Sequence, residues 1–155
     1  MRRFSFSRGF SLLEILIVIA VVGLLATLAV LSLNSARART RDAQRISDIS
    51  IMRTVLSQHY LETSNYPLSV GVQLGQPGTK TDVFTSLGFA ASQEVNGIVY
   101  LQRVPTGPKL NEYYRYRGGA NGYSLRFQTE TDTLLGNANV YYAHGSGIDN
   151  KDDEK

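Results

Sequence analysis

The chain has no cysteine and no tryptophan, two histidines, two methionines and four prolines among 155 residues. Without cysteine there is neither a disulfide framework nor a thiolate metal site. Neither His59 nor His144 has metal-ligand spacing to the other. His59 falls on an apolar helical stripe, where a buried or boundary role is expected. Gly75–Thr81 reads Gly-Gln-Pro-Gly-Thr-Lys-Thr, but Thr79 separates glycine from lysine and no strand-then-helix context surrounds it, so it is not a phosphate-binding loop. No Ser-His-Asp arrangement follows from spacing, and the chain is expected not to be an enzyme. Charge of one sign is also missing. Of the 16 basic side chains three are Arg2, Arg3 and Arg8, leaving 13 against 13 acidic ones. The net charge of +3 is therefore local to the amino terminus, where it reads as a topology signal.

The longest absence is of charge between Ile15 and Leu33, which leaves 19 residues rich in Leu, Ile, Val and Ala. As a helix this run spans roughly 28 Å, close to the hydrocarbon thickness of a bilayer. It is a transmembrane candidate. The arginines before it favour a cytoplasmic amino terminus, although Arg37, Arg39 and Arg41 follow it. It exceeds the 7–15 apolar residues of a secretory signal, and Arg37 fits poorly in the Ala36-Arg37-Ala38 triplet that would be its cleavage site. Glu14 stands at the edge of the apolar run. It reads either as a headgroup-level carboxylate or as an acid that awaits a cationic partner.

Gly9-Phe10-Ser11-Leu12-Leu13-Glu14, after a short basic leader and before a long apolar helix, resembles the processing site of type IV prepilins and type II secretion pseudopilins. The resemblance implies that a prepilin peptidase cuts between Gly9 and Phe10 and methylates the new Phe10 amine. Residues 1–9 would be the cytoplasmic leader. The Phe10 amine would pair with Glu14 of a neighbouring subunit, so that two charges costly in apolar surroundings compensate each other and set axial register. Gly23 and Ser32–Ser35 are places where the helix is expected to bend or loosen.

Ala43, Ile46, Ile49, Met52, Val55, Leu56, His59 and Tyr60 recur at spacings of mostly three and four, the mark of an amphipathic helix. Arg41, Asp42, Arg45, Asp48 and Arg53 are read as its solvated face. Asn65-Tyr66-Pro67 is expected to stop it. Arg41 to Ile49, Tyr60 and this stop are similar to the soluble half of the helix in major pseudopilins. Beyond it, residues 68–95 read as loop with a short helix near Val83–Leu87. Strands are predicted at Gly97–Val104, Glu112–Arg117, Tyr123–Thr129 and Asn139–Ala143, with a hairpin at Asn121-Gly122. Val104-Pro105-Thr106-Gly107-Pro108, followed by Asn111-Glu112-Tyr113, resembles the turn that precedes the hairpin in major pseudopilins.

The fold class expected is α+β and pilin-like, a long helix packed on a small antiparallel sheet of three or four strands. Its divisions are a leader at 1–9, a transmembrane or filament-core helix at 10–34, an amphipathic half at 35–64, a head at 65–144 and a flexible acidic tail at 145–155. In the tail Asp149, Asp152, Asp153 and Glu154 are candidate calcium ligands, in vague resemblance to the carboxy-terminal loop of major pseudopilins.

The function implied by the resemblance is that of a bacterial filament subunit. Its partners would be further pilin subunits, a prepilin peptidase, an inner-membrane assembly platform and a separate motor ATPase. It would sit first in the cytoplasmic membrane and then in a periplasmic or surface filament. A pilus subunit, a secretion pseudopilin and a DNA-uptake pilin stay open, and the helix-to-stop match leans toward the pseudopilin. Two further readings remain. One is a minor pilin that binds DNA or a surface ligand through Tyr113, Tyr114 and Tyr116 with Arg115 and Arg117. The other is a plain signal-anchored membrane protein.

Overall fold

The computed structural model describes residues 9–153. The expected leader positions 1–8, with Arg2, Arg3 and Arg8, and the candidate ligand Glu154 lie outside the described residues. The chain divides into two units, one ending at Arg37 and one beginning at Ala38.

Helix α1 runs Leu12–Thr63. In the first unit every described residue is solvent-exposed, from Gly9 to Arg37, although most are apolar. An 18-residue window of α1 has a mean hydropathy of 2.9, which is long and apolar enough to cross a membrane. The helix assignment is unbroken through Gly23 and Ser32–Ser35. α1 ends as the Asn65-Tyr66-Pro67 sequence requires. Ser64 adopts φ 58°, its amide donates to the Tyr60 carbonyl at 2.8 Å, and the Asn65 side chain donates to the Thr63 carbonyl at 3.0 Å.

Among the described residues the second unit holds eight strands in chain order: β1 Ser69–Gln73, β2 Val83–Thr85, β3 Gly88–Ala90, β4 Val99–Leu101, β5 Arg115–Gly118, β6 Tyr123–Gln128, β7 Val140–Ala143 and β8 Ile148–Asp149. They form an antiparallel five-stranded sheet, β1-β5-β6-β7-β8, and a three-stranded sheet, β3-β2-β4. The fold is α+β, as expected, with two sheets in place of one. The β5–β6 hairpin pairs Gly118 with Tyr123 around the predicted glycine-rich turn.

Three strand assignments depart from the sequence reading. Val83–Leu87 is not a short helix. β2 occupies Val83–Thr85, Ser86-Leu87 turn, and Gly88 at φ 105° opens β3. The apolar run was too short for periodicity to separate strand from helix. β1 lies in a segment read as loop, and its pattern is interrupted by Gly71 at φ 119°, where the register to β5 shifts. β8 pairs Asp149 with Tyr142, extending the sheet past the boundary at 144.

The core of the second unit combines Ile49, Met52, Val55 and Leu56 of α1 with Phe84, Tyr116, Tyr123, Leu125, Phe127, Tyr141 and Ala143 of the sheets. Within β6 the side chains alternate from Leu125 onward: Leu125 and Phe127 are buried while Arg126 and Gln128 are exposed.

Candidate functional site

Gly9 and Phe10 precede the first turn of α1 and are exposed, Phe10 by 75%. Among the described residues nothing lies within 4 Å of where a Gly9 side chain would stand, so they make no demand for glycine there. Ser11 occupies the N-cap position. Its carbonyl accepts from the Glu14 amide at 3.1 Å and from the Ile15 amide at 3.3 Å. Ser11-Leu12-Leu13-Glu14 is thus a Ser-x-x-Glu capping sequence, and Glu14 stands in the first turn, where the helix dipole favours an anion. The geometry gives an accessible, non-helical dipeptide directly followed by an apolar helix that carries one acid at its start.

A second constellation lies in the other unit, and it overturns the solvated-face reading of α1. Asp42 and Arg45 are 1% and 2% exposed. Arg45 donates to both carboxylate oxygens of Glu112, at 2.6 and 2.8 Å, and to Asp42 at 2.7 Å, and it pairs with Glu130 at 2.7 Å. Asp42 accepts from the backbone amides of Glu130 and Thr131 and from the Thr131 hydroxyl. Arg41 forms a two-bond fork with Glu130, and Lys109 reaches Glu130 at 2.8 Å. Three cations therefore face three anions, joining α1 to the loop before β5 and the loop after β6. Ionisation follows. Burial raises the Asp42 pKa, but the amide and hydroxyl bonds together with Arg45 outweigh it and hold the group below its ordinary value. Glu130 is held well below its ordinary value, first by the Arg41 hydrogen bonds and then by Lys109 and Arg45, against burial. Asp48 goes the other way, pushed up by burial although the Tyr114 hydroxyl donates to it at 2.8 Å.

The tail candidates separate. Asp152 accepts from the Ser124 hydroxyl at 2.9 Å and faces Arg117 at 3.4 Å. Asp149 and Asp153 instead converge on His144, at 3.2 and 3.8 Å from its Nε2. Sequence reading passed over His144 because its partners are carboxylates rather than a second histidine. His59 is buried as expected, its Nδ1 3.0 Å from the Asn65 carbonyl and its ring against Phe84. Tyr114 and Tyr116 are core residues, which removes two of the three rings from any stacking platform for nucleic acid. The Gly75–Thr81 segment turns into β2 rather than a helix, and Lys80 pairs with Glu94.

The family model described as the prokaryotic N-terminal methylation motif matches residues 5–30, the stretch that holds this exposed dipeptide and Glu14. The type II secretion system core protein G of Dickeya chrysanthemi is 30% identical over 150 residues, covering 90% of this chain and 92% of the relative. The protein of the same name in Escherichia coli is 30% identical over 123 residues, 79% of this chain and 80% of that one. A fimbrial protein of Pseudomonas aeruginosa is 29% identical over 90 residues, 58% of this chain and 53% of its own length. No solved structure matches the chain. The α+β architecture and the exposed apolar start of α1 fit a membrane-anchored protein, and with relatives matched over most of their length the chain belongs to the type II secretion system core protein G family of pilin-like proteins.

Proposed function

We propose that this protein is a structural subunit of a type IV pilus-like filament, of the secretion-pseudopilin kind, made as a membrane-anchored precursor. The observation that carries the reading is the exposed Gly9–Phe10 dipeptide ahead of an apolar helix with Glu14 in its first turn. A prepilin peptidase would cut between Gly9 and Phe10 and methylate the Phe10 amine. Removing the leader arginines deletes charge that resists transfer across a membrane and creates a single cationic amine. Glu14 then offers that amine, on an adjacent subunit, the counter-charge that an apolar helix bundle otherwise lacks. The exposed apolar surface of α1 would meet lipid first and other subunits' helices afterwards. An assembly platform and a motor ATPase supplied by other proteins would drive the transfer, with the amino terminus starting in the cytoplasm. The extent of the match to core protein G favours the secretion pseudopilus over a pilus or a DNA-uptake filament.

The test is intact mass with amino-terminal fragmentation of protein from its native membranes. A chain that begins at methylated Phe10 is expected, and one that begins at Met1 in cells with active peptidase overturns the reading. Because no described residue crowds Gly9, Gly9→Val is expected to abolish cleavage while helix content stays unchanged. Glu14→Ala is expected to leave processing intact and to reduce filament yield.

A further inference from the structure

Leu110 is 93% exposed and Leu134 wholly so, and each is the second residue of a tight turn. The Glu112 amide donates to the Lys109 carbonyl at 3.2 Å across Leu110 and Asn111, with Asn111 at φ 58°. Thr133 and Gly136 exchange both backbone bonds across Leu134 and Leu135, at 2.8 and 3.1 Å. Leu135 packs on the core, which leaves Leu134 as the apolar tip. Turns favour Gly, Pro, Asn, Asp and Ser, so their geometry does not call for leucine. One exposed leucine is ordinary. Two at the tips of loops fixed to each other are not. Lys109 reaches Glu130 at 2.8 Å and so joins the loops, while Arg45 holds Glu112 and Asp42 holds the amides of Glu130 and Thr131. The ion network thus presents both leucines beside the first buried turn of α1.

What covers the tips follows from where that turn stands in the chain. Leu33 ends the uncharged run and Asp42 comes nine residues later. Helical rise puts no more than about 14 Å of α1 between them, whatever the angle between the two units. The headgroup layer is itself roughly 5–7 Å deep on each side of a bilayer. Arg37 and Arg39 lie in this interval, exposed and without an acidic partner among the described residues, which suits anionic headgroups. The acids at this end of the head are already engaged. Glu112 and Glu130 are held by Arg45, Arg41 and Lys109, and Asp132 accepts from the Ala138 amide at 3.1 Å.

We propose that Leu110 and Leu134 form a two-point lipid seat, entering the interfacial layer of the bilayer that α1 leaves. Apolar side chains at that boundary bury to a depth of about 5–10 Å, within the reach of a turn tip. The seat holds the head to the membrane by contacts other than the helix itself, and it is released when the subunit leaves the bilayer. It rests on the membrane-anchored reading of α1 and not on filament assembly.

The chain contains no cysteine, so single probes can be placed cleanly. The full chain is reconstituted singly in nanodiscs of phosphatidylethanolamine and phosphatidylglycerol, with a nitroxide high on the acyl chain of some lipids. An environment-sensitive fluorophore is attached at Asn137→Cys, an exposed position in the Leu134 loop that leaves both leucines in place. Val70→Cys, at a position 98% exposed on β1, is the water reference, and Leu25→Cys in the apolar run reports anchorage. Quenching at 137 is expected to exceed that at 70 by about twofold or more. Leu110→Ser with Leu134→Ser is expected to bring it down to the level at 70, with the melting temperature unchanged. A label at 137 no more quenched than at 70, while 25 is quenched, overturns the seat and leaves the anchorage standing. Quenching that survives the double substitution overturns it as well. Shielding at 137 that appears only when several chains share a disc assigns the leucines to a second copy and overturns it. Absence of quenching at 25 removes the anchorage, and the proposal with it.

Discussion

Arg45 makes fork bonds to Glu112 and reaches Asp42 and Glu130 from a position almost closed to solvent. Removing its guanidinium leaves Asp42 buried with less compensation, and breaking a buried pair from one side costs about 3–5 kcal/mol. Arg45→Met is therefore expected to destabilise the head by that order in denaturant unfolding, and a change under 1 kcal/mol would place the network outside the stability of the fold. Acidity acts on the same groups. The ordinary carboxyl values are 3.8 for Asp42 and 4.5 for Glu130, and both groups sit lower when folded. The unfolded chain thus takes up protons first as pH falls. Their contribution is complete above about pH 4.5 and is lost as pH drops toward the folded values. Asp48, raised by burial, has the opposite sign and weakens the fold once it ionises. Melting temperature is expected to fall on acidification below pH 4.5, and Asp42→Asn with Glu130→Gln is expected to flatten that fall. Asp48→Asn, which keeps an acceptor for Tyr114, is expected to cost nothing at neutral pH.

At the scale of elements, the buried face of α1 runs Asp42, Arg45, Ile49, Met52, Leu56 and His59, alternating steps of three and four. The same period continued back from Ile49 reaches Arg45 and Asp42, so the signal for their burial was in the sequence. It was hidden because apolarity, not spacing, chose Ala43 and Ile46 for the stripe. Ala43 is exposed and Ile46 only half-buried. A charge joins an apolar face only when counter-charges arrive from elsewhere in the chain, and Glu112 and Glu130 lie 67 and 85 residues beyond Arg45. The edge of the larger sheet was similarly illegible, because β1 owes its form to pairing with β5 rather than to its own composition. Gly118 tests that pairing. A Cβ there would clash with the Pro67 carbonyl and the Tyr116 hydroxyl. Gly118→Ala is expected to destabilise by about 1–3 kcal/mol, as overpacking does, and to loosen the β1–β5 ladder in amide exchange.

At the scale of the whole molecule, among the described residues the first buried position is Asp42. The second unit carries a core of its own, built from α1 beyond Ala38 and from the sheets. A fragment covering residues 38–155 is expected to be soluble without detergent and to unfold cooperatively within a few degrees of the full chain. Aggregation or a large loss of melting temperature would show that the apolar segment contributes to the head.

What the sequence alone determined is local. An uncharged run long enough for a bilayer, the stop at Asn65-Tyr66-Pro67, and the Asn121-Gly122 hairpin each depend on neighbours within a few positions, and the helix, its end and the hairpin are found where the residues required them. Only the tertiary structure decided which charges are buried and which tail acids meet. Arg45 with Glu112 and Glu130, and His144 with Asp149 and Asp153, come together through sheet pairing and loop return. A charged residue looks the same in sequence whether water or a distant carboxylate will satisfy it, and that choice is made only when the strands have found their partners.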